Sequence, residues 1–355
     1  MLIRDIIAVI EAYAPVALQE SWDNTGLQCG DAGAECTGVM LCVDVTPEVI
    51  KEAADKGCNL VVSHHPMIFR GLKRVVGATV DEFCIIDAIR LGVAVYSCHT
   101  ALDSARGGVS YTLAENLGGK IIRALHPSDS HLLQLTVVTP RHRAEDIRAA
   151  LTDAGASKSL EQDTVLNNSS VEDDVDTGIP VLSIHHEPLT SIVLTVSPTE
   201  RGRITAALDG MPDTTYTFTR LEETDTGIGL GALAVLDKPM PVPDFLRRVK
   251  NACGTPVLRC NRHTLDEPVS RIAVCGGAGG EFVADAVAAG AQVYVTADLR
   301  YHDFGEWADR ILLVDAGHFE TESCTKSIFM QLFKEKFANF AVYISASEQN
   351  PIKYF

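Results

Sequence analysis

Three separate stretches carry metal-type ligands just after an apolar run: His64 and His65 in VVSHHP, Asp103 in VYSCHTALD, and His318 with Glu322 in LLVDAGHFETE. Imidazoles and carboxylates form a mixed nitrogen and oxygen donor set that Zn, Mn, Fe and Co all accept. Two ions sharing a carboxylate use such a set for hydrolytic work. Each cluster alone also has a plainer reading. His64 and His65 would be a surface pair on a turn stiffened by Pro66. Glu320 and Glu322 would favour the positive end of a helix dipole. Asp103 would be a loop aspartate, with His99 close enough to compete with it or to orient a ligand. Near His318, Glu320 is the rival ligand: if the segment is helical, four residues put Glu322 on the His318 face, whereas Glu320 at two residues would point elsewhere.

Two further segments end apolar runs with polar groups. VTADLRYH offers Thr296, Asp298 and His302, of which Asp298 and His302 suit proton transfer, or else a helix cap and a surface histidine. The GGAGGE stretch (Gly276, Gly277, Gly279, Gly280) sits between a strand pattern and a helix pattern, the setting for phosphate held by backbone amides. It matches neither a dinucleotide fingerprint nor a P-loop, so a tight turn with close packing explains it equally well.

The elements that must position these groups follow from the apolar runs. Leu60–Val62, Val93–Tyr96 and Ile311–Val314 read as buried strands, so every ligand cluster falls where a strand ends. Ligands of open α/β sheets collect beyond the carboxyl ends of the strands, which makes one shared site the expected arrangement. Strand GVMLCVDV, helix PEVIKEAADKG, strand NLVVSHHP, helix DEFCIIDAIRLG, strand VAVYSCHT and helix GGVSYTLAENLG alternate through the first third. That alternation predicts parallel pairs with crossover helices.

From His131 the grammar changes. LLQLTVVTPRHRAEDIRAALTDAGA and SIVLTVSPTERGRITAALDG each read as strand, proline turn and amphipathic helix, with the acidic stretch NNSSVEDDVDTG between them as a solvated loop. TYTFTRL alternates like a half-exposed strand. Two strand–helix units plus further strands predict a ferredoxin-like α+β insert over residues 129–222, interrupting a layered α/β core of 1–128 and 223–355. Within the insert, His185-His186 has no carboxylate nearby and reads as a surface pair.

Composition limits the partners. A net charge of −17 opposes a surface tracking nucleic-acid backbone and equally a polybasic membrane patch. The ten cysteines are scattered with no Cys-x-x-Cys pair, as expected of small core residues in a reducing compartment. MLIRDIIAVIEAYAP is broken by Asp5 and Glu11, so it reads as an amphipathic first helix and not a signal peptide. A cytoplasmic protein is the expectation.

These residues, in this order, resemble the NIF-three-like family of dinuclear-metal hexamers, also called GTP cyclohydrolase I type 2 homologs. SWDNTGL, SHHP, HTALD with GGVSYTLAENLG, VTADLRYHD and DAGHFETE carry the likeness nearly end to end. The resemblance implies two metal ions per chain. His64, Asp103 and Glu322 would hold one, and His65, His318 and Glu322 the other, with Glu322 bridging. It implies a homohexamer of two stacked trimers and an insert similar to PII and CutA-type domains. One departure is visible: Ala297 stands where the family has a glycine in Thr-Gly-Asp, which would strain the turn if that position needs a positive φ.

Two functions are compatible with this reading. One is a metal-dependent hydrolase acting on a nucleotide or phosphoester, with Glu322, Asp298 and His302 in its catalytic machinery. The other is a non-catalytic hexameric metal-binding scaffold or sensor gated by the PII-like insert. Glu322→Gln separates them, because only the enzyme has turnover to lose.

Overall fold

A computed structural model describes residues 1–165, 168–173, 180–185, 188–261 and 267–355. The chain divides into two compact units, residues 1–128 with 226–355, and residues 129–225.

The first unit contains two sheets. In the first, strands run in the order Gly26–Cys29, Ala94–Ser97, Leu60–Ser63, Val39–Cys42 and Val342–Ile344. The last four are parallel, and Gly26–Cys29 closes one edge antiparallel. Strands buried on both faces read as near-continuous apolar runs, and all four residues of Leu60–Ser63 and of Val39–Cys42 are buried, Ser63 being the polar exception. Successive side chains serve opposite faces. Val39, Leu41, Leu60, Val62, Ala94 and Tyr96 pack with helices Ile3–Tyr13 and Thr325–Lys336. Met40, Cys42, Val61 and Val95 pack with helices Pro47–Asp55 and Val80–Leu91. Those two helices start on Thr46 and Thr79, whose side chains accept the backbone N–H of Val49 and Glu82. The second ends on Gly92 in the left-handed region (φ 66°).

The second sheet has the order Arg259–Cys260, Leu312–Asp315, Val293–Ala297, Val269–Ala278, Gly229–Met240 and Gly119–Pro127. Its three middle members, Leu312–Asp315, Val293–Ala297 and Val269–Ala278, are parallel, and the flanking ones antiparallel. One expectation changes here. Asp103 lies in a short helix, His99–Ser104, and not in a loop. The glycine-rich stretch does join a strand to a helix: the strand runs on to Ala278, and one tight turn, Gly280–Phe282, leads directly into helix Val283–Ala288.

The second unit has strands in the order Thr215–Thr224, His131–Pro140, Pro188–Val196 and Ser157–Val165, all antiparallel. Helices Ala144–Asp153 and Arg201–Asp209 bury Ile147, Leu151, Ile204 and Leu208 against Leu135, Val137, Ile192 and Leu194. This is the β-α-β-β-α-β order of ferredoxin-like units. The acidic stretch departs from its expected loop: Asn168–Asp173 is a strand paired antiparallel with Pro180–His185. His186 lies outside the described residues. Among the described residues no helix is long and apolar enough to cross a membrane.

Candidate metal centre

His64 and His65 leave the buried strand Leu60–Ser63 as its backbone turns, held by His64 N–H to Cys42 O (3.2 Å) and His65 N–H to Val43 O (2.9 Å). The turn lets consecutive residues face one cleft, which a continuing strand forbids. Asp103 arrives from the helix after Ala94–Ser97. After Leu312–Asp315 the chain passes through Gly317 (φ 92°), and helix His318–Glu322 then places its first and last residues on one face.

Three imidazoles meet at Glu322, which is only 4% exposed, and Asp103 approaches the first of them, His64. Its Oε1 lies 3.4 Å from His64 Nε2, and its Oε2 lies 2.9 Å from His65 Nε2 and 3.2 Å from His318 Nε2. Asp103 Oδ1 is 3.7 Å from His64 Nε2. Ligand atoms of His64, His65 and Glu322 all fall within 4.8 Å of one another. These approaches are close, yet both ring nitrogens of His64, Asp103 Oδ1 and Glu322 Oε2 are buried without a hydrogen bond. Buried polar atoms are normally satisfied. Atoms that converge without bonding each other fit a cation between them, so this donor set suits a metal.

Outer partners fix the rings. His65 Nδ1 donates to Asp44 Oδ1 (2.7 Å) and His318 Nδ1 donates to Asp298 Oδ2 (2.7 Å). With Nδ1 committed to a carboxylate, Nε2 is the nitrogen each ring turns toward Glu322, and the one that could bind an ion once its proton is lost. His99 Nδ1 donates to Asp23 Oδ1 (2.6 Å), and Asp23 also accepts the Thr100 N–H (3.0 Å) and hydroxyl. Burial opposes charging His65 and His318, but Asp44 and Glu322 raise His65 to about 10, and Glu322 with Asp298 raises His318 to about 9. Burial, opposed by His64 and aided by Glu322, pushes Asp103 up to about 7. Burial acts to raise Glu322 too, yet His64, His318 and His65 hold it well below the usual carboxylate range.

The other sequence candidates take definite places. Asp298 is the partner of His318 and sits in the left-handed region (φ 55°). The strain that Ala297 was expected to carry therefore falls on Asp298, since Ala297 is an ordinary buried strand residue. His302 is exposed on helix Tyr301–Glu306, its ring 5.4 Å from that of Tyr301. Glu320 is buried away from Glu322, against a cavity of about 230 Å³ lined by Cys253, Phe319 and Tyr354. The amides of Gly276 and Gly277 are spent on Ser110 Oγ (3.2 Å) and Thr321 Oγ1 (3.0 Å), so they do not form a phosphate cradle. Gly277 makes room instead: a Cβ there would lie 2.1 Å from Glu322 Oε1.

Asp44 and Asp23 escape a reading that looks only for ligands. A signal for Asp44 was present, since it stands two residues past a strand end in VMLCVD, as the ligands do.

A family model described as Duf34/NIF3 (NGG1p interacting factor 3) matches residues 1–351. The chain belongs to this family. A Mycobacterium tuberculosis protein named GTP cyclohydrolase 1 type 2 homolog is 32% identical over 337 residues, 90% of this chain and 88% of its own length. A Staphylococcus epidermidis protein of the same name is 27% identical over 370 residues, with both chains fully covered. The crystal structure of a Bacillus cereus protein related to NIF3 superposes with a TM-score of 0.82 at 26% identity, covering 100% of this chain and 99% of that one. As a NIF3 protein, the chain keeps the mixed α/β architecture across its whole length.

Proposed function

We propose that this NIF3 protein is a dinuclear metal-binding hydrolase acting on a nucleotide or another phosphoester. The observation that carries the reading is Glu322, a buried carboxylate facing three imidazoles with its two oxygens on different sides. His64, Asp103 and Glu322 would hold one divalent ion, and His65, His318 and Glu322 the other. Two such ions supply Lewis-acid polarisation and charge stabilisation to a hydrolytic reaction. The chain's own contribution is to hold five donors rigid, to keep the His65 and His318 rings turned by Asp44 and Asp298, and to exclude water from His64. His302, exposed on helix Tyr301–Glu306, would carry a proton in this proposal. The names of the curated relatives support a nucleotide as the substrate class. A homohexamer and a PII-like role for the insert belong to the same proposal, supported for the insert by its strand order.

The test measures metal per chain after loading with Zn, Mn, Fe or Co, and turnover of GTP, other nucleotides and phosphoesters. Two ions per chain with turnover support the reading. Two ions with no turnover in any arm overturn the hydrolase and leave the metal-binding scaffold or sensor.

Removing Asp44 or Asp298 tests the outer partners. Asp44→Ala and Asp298→Ala should each weaken metal binding by about 10- to 100-fold while leaving the fold intact, the usual cost of losing such a partner. Competition with a chromophoric chelator reads the effect. Protons and metal compete for the same nitrogens, so apparent affinity should rise as pH increases from near 7 to about 10, through the raised values of His318 and His65. The metal-free fold should show the opposite trend. Stabilisation from the charged His65 and His318 is fully present below their unfolded value near 6.5 and is lost as pH rises through about 9 and 10. Urea midpoints of chelator-treated protein at pH 6 and pH 10 check that sign.

A further inference from the structure

The motif SWDNTGL supplies no candidate metal ligand, yet the structure anchors it tightly beside the metal centre. Trp22 is 57% exposed, a costly placement for the largest apolar ring unless something covers it. The residues after it are clamped. Asp23 is tied to His99 and Thr100, Asn24 Nδ2 donates to Ile68 O (2.6 Å) and Gln28 Oε1 (3.1 Å), and Thr25 Oγ1 donates to Cys98 O (3.1 Å). Trp22 is thus carried on a turn that its neighbours' hydrogen bonds hold in place. Exposed Phe69 stands edge-on to it with centroids 6.0 Å apart, and both face His99, at 5.8 Å and 6.2 Å. His99 in turn lies 5.6 Å from each of His64 and His65. Arg70, Lys73 and Arg74 follow Phe69 on the same exposed loop of a chain whose net charge is −17.

We propose that Trp22 and Phe69 form a stacking subsite for the planar heteroaromatic ring of a nucleotide, with Arg70, Lys73 and Arg74 available to its phosphates. The proposal rests on the reading of the metal centre as a substrate site and assigns the part of the substrate recognised outside it. A base has a π-face that an aromatic wall accepts without reading its edges, so the subsite selects nucleotides from sugar phosphates and tolerates different bases. Two successive ring contacts, Trp22 to His99 and His99 to His64 and His65, put a seated ring one imidazole away from the cluster.

The experiment uses metal-loaded full-length protein carrying Trp307→Phe, so that Trp22 is the one tryptophan, with GMP and ribose 5-phosphate as probes. GMP should quench Trp22 fluorescence saturably, and ribose 5-phosphate, which keeps sugar and phosphate but lacks the ring, should not. Against the otherwise wild-type chain, Trp22→Ala should weaken GMP binding by calorimetry about tenfold or more, and Trp22→Phe should recover most of the loss. Metal content should be unchanged. Equal binding of the two probes, or GMP affinity unaltered in Trp22→Ala, overturns the subsite. A change of oligomeric mass in Trp22→Ala overturns it too, because Trp22 is then a contact between copies. The two readings fail separately: ring-dependent binding without turnover of any substrate leaves the subsite standing and overturns the hydrolase, and turnover of a ring-free phosphoester with no GMP binding does the reverse.

Discussion

Glu322→Gln should leave a folded protein that binds no more than one metal ion per chain and has lost roughly two to three orders of magnitude in turnover, the scale of removing one preorganised electrostatic contact from an active site. The substitution keeps shape and changes charge. Oε1 of Glu322 faces His64 and Oε2 faces both His65 and His318. A glutamine presents its oxygen to one side only, and its NH₂ must then point at the nitrogen lone pairs of the other. One place keeps a weak neutral donor while the other gains a repelling one. Charge compounds the loss, because Glu322 is held ionised by the three imidazoles around it. Elemental analysis after loading gives the metal count, and steady-state assays of the active substrate give the rate. Full metal content with unchanged turnover would remove Glu322 from the centre and return the His318 segment to its plainer reading, an acidic first turn favouring a helix dipole.

Much of this arrangement was legible because burial on both faces leaves an unambiguous mark. Runs such as LVV and LLV cannot be solvated strands, so the polar residues straight after them had to lie at strand ends. Glu320 stayed a rival of Glu322 on spacing alone, and the structure puts Glu322 in the cluster and Glu320 against a separate cavity. Other features leave no periodic mark. The short strand Gly26–Cys29 is held by edge pairing to Ala94–Ser97 with an irregular register, and its residues are only half-buried. Gly119–Pro127 likewise mixes buried and exposed positions without alternation. The GGAGG stretch misleads for a physical reason: glycines that admit a ligand and glycines that admit a neighbouring side chain look alike in sequence. Only the structure shows that the space at Gly277 is filled by Glu322 and His318. The same holds for Asp298, where a carboxylate suited to proton transfer is equally suited to turning a histidine, and only the structure shows it 2.7 Å from His318 Nδ1.

Gly277→Ala should therefore be among the most damaging single-methyl changes in the chain, costing about 2–5 kcal/mol of stability and the metal centre with it. Two costs add. Gly277 has φ 64°, a left-handed conformation that is worth roughly 1–2 kcal/mol against any residue with a Cβ. The added atom would also lie 2.1 Å from Glu322 Oε1 and 3.2 Å from His318 Nε2. Glu322 has little room to yield, since it is buried and bounded by His64, His65 and His318. Gly92→Ala separates the terms: Gly92 has φ 66° at a helix end, and a Cβ there meets nothing within 4 Å. It should lose only the conformational part, about 1–2 kcal/mol, and keep full metal content. Urea unfolding of the metal-free proteins compares the two stabilities, and elemental analysis after loading compares the sites. Equal losses in the two variants, with metal retained in both, would mean that Gly277 serves only the turn of its own backbone and that the space beside Glu322 is not what the glycine provides.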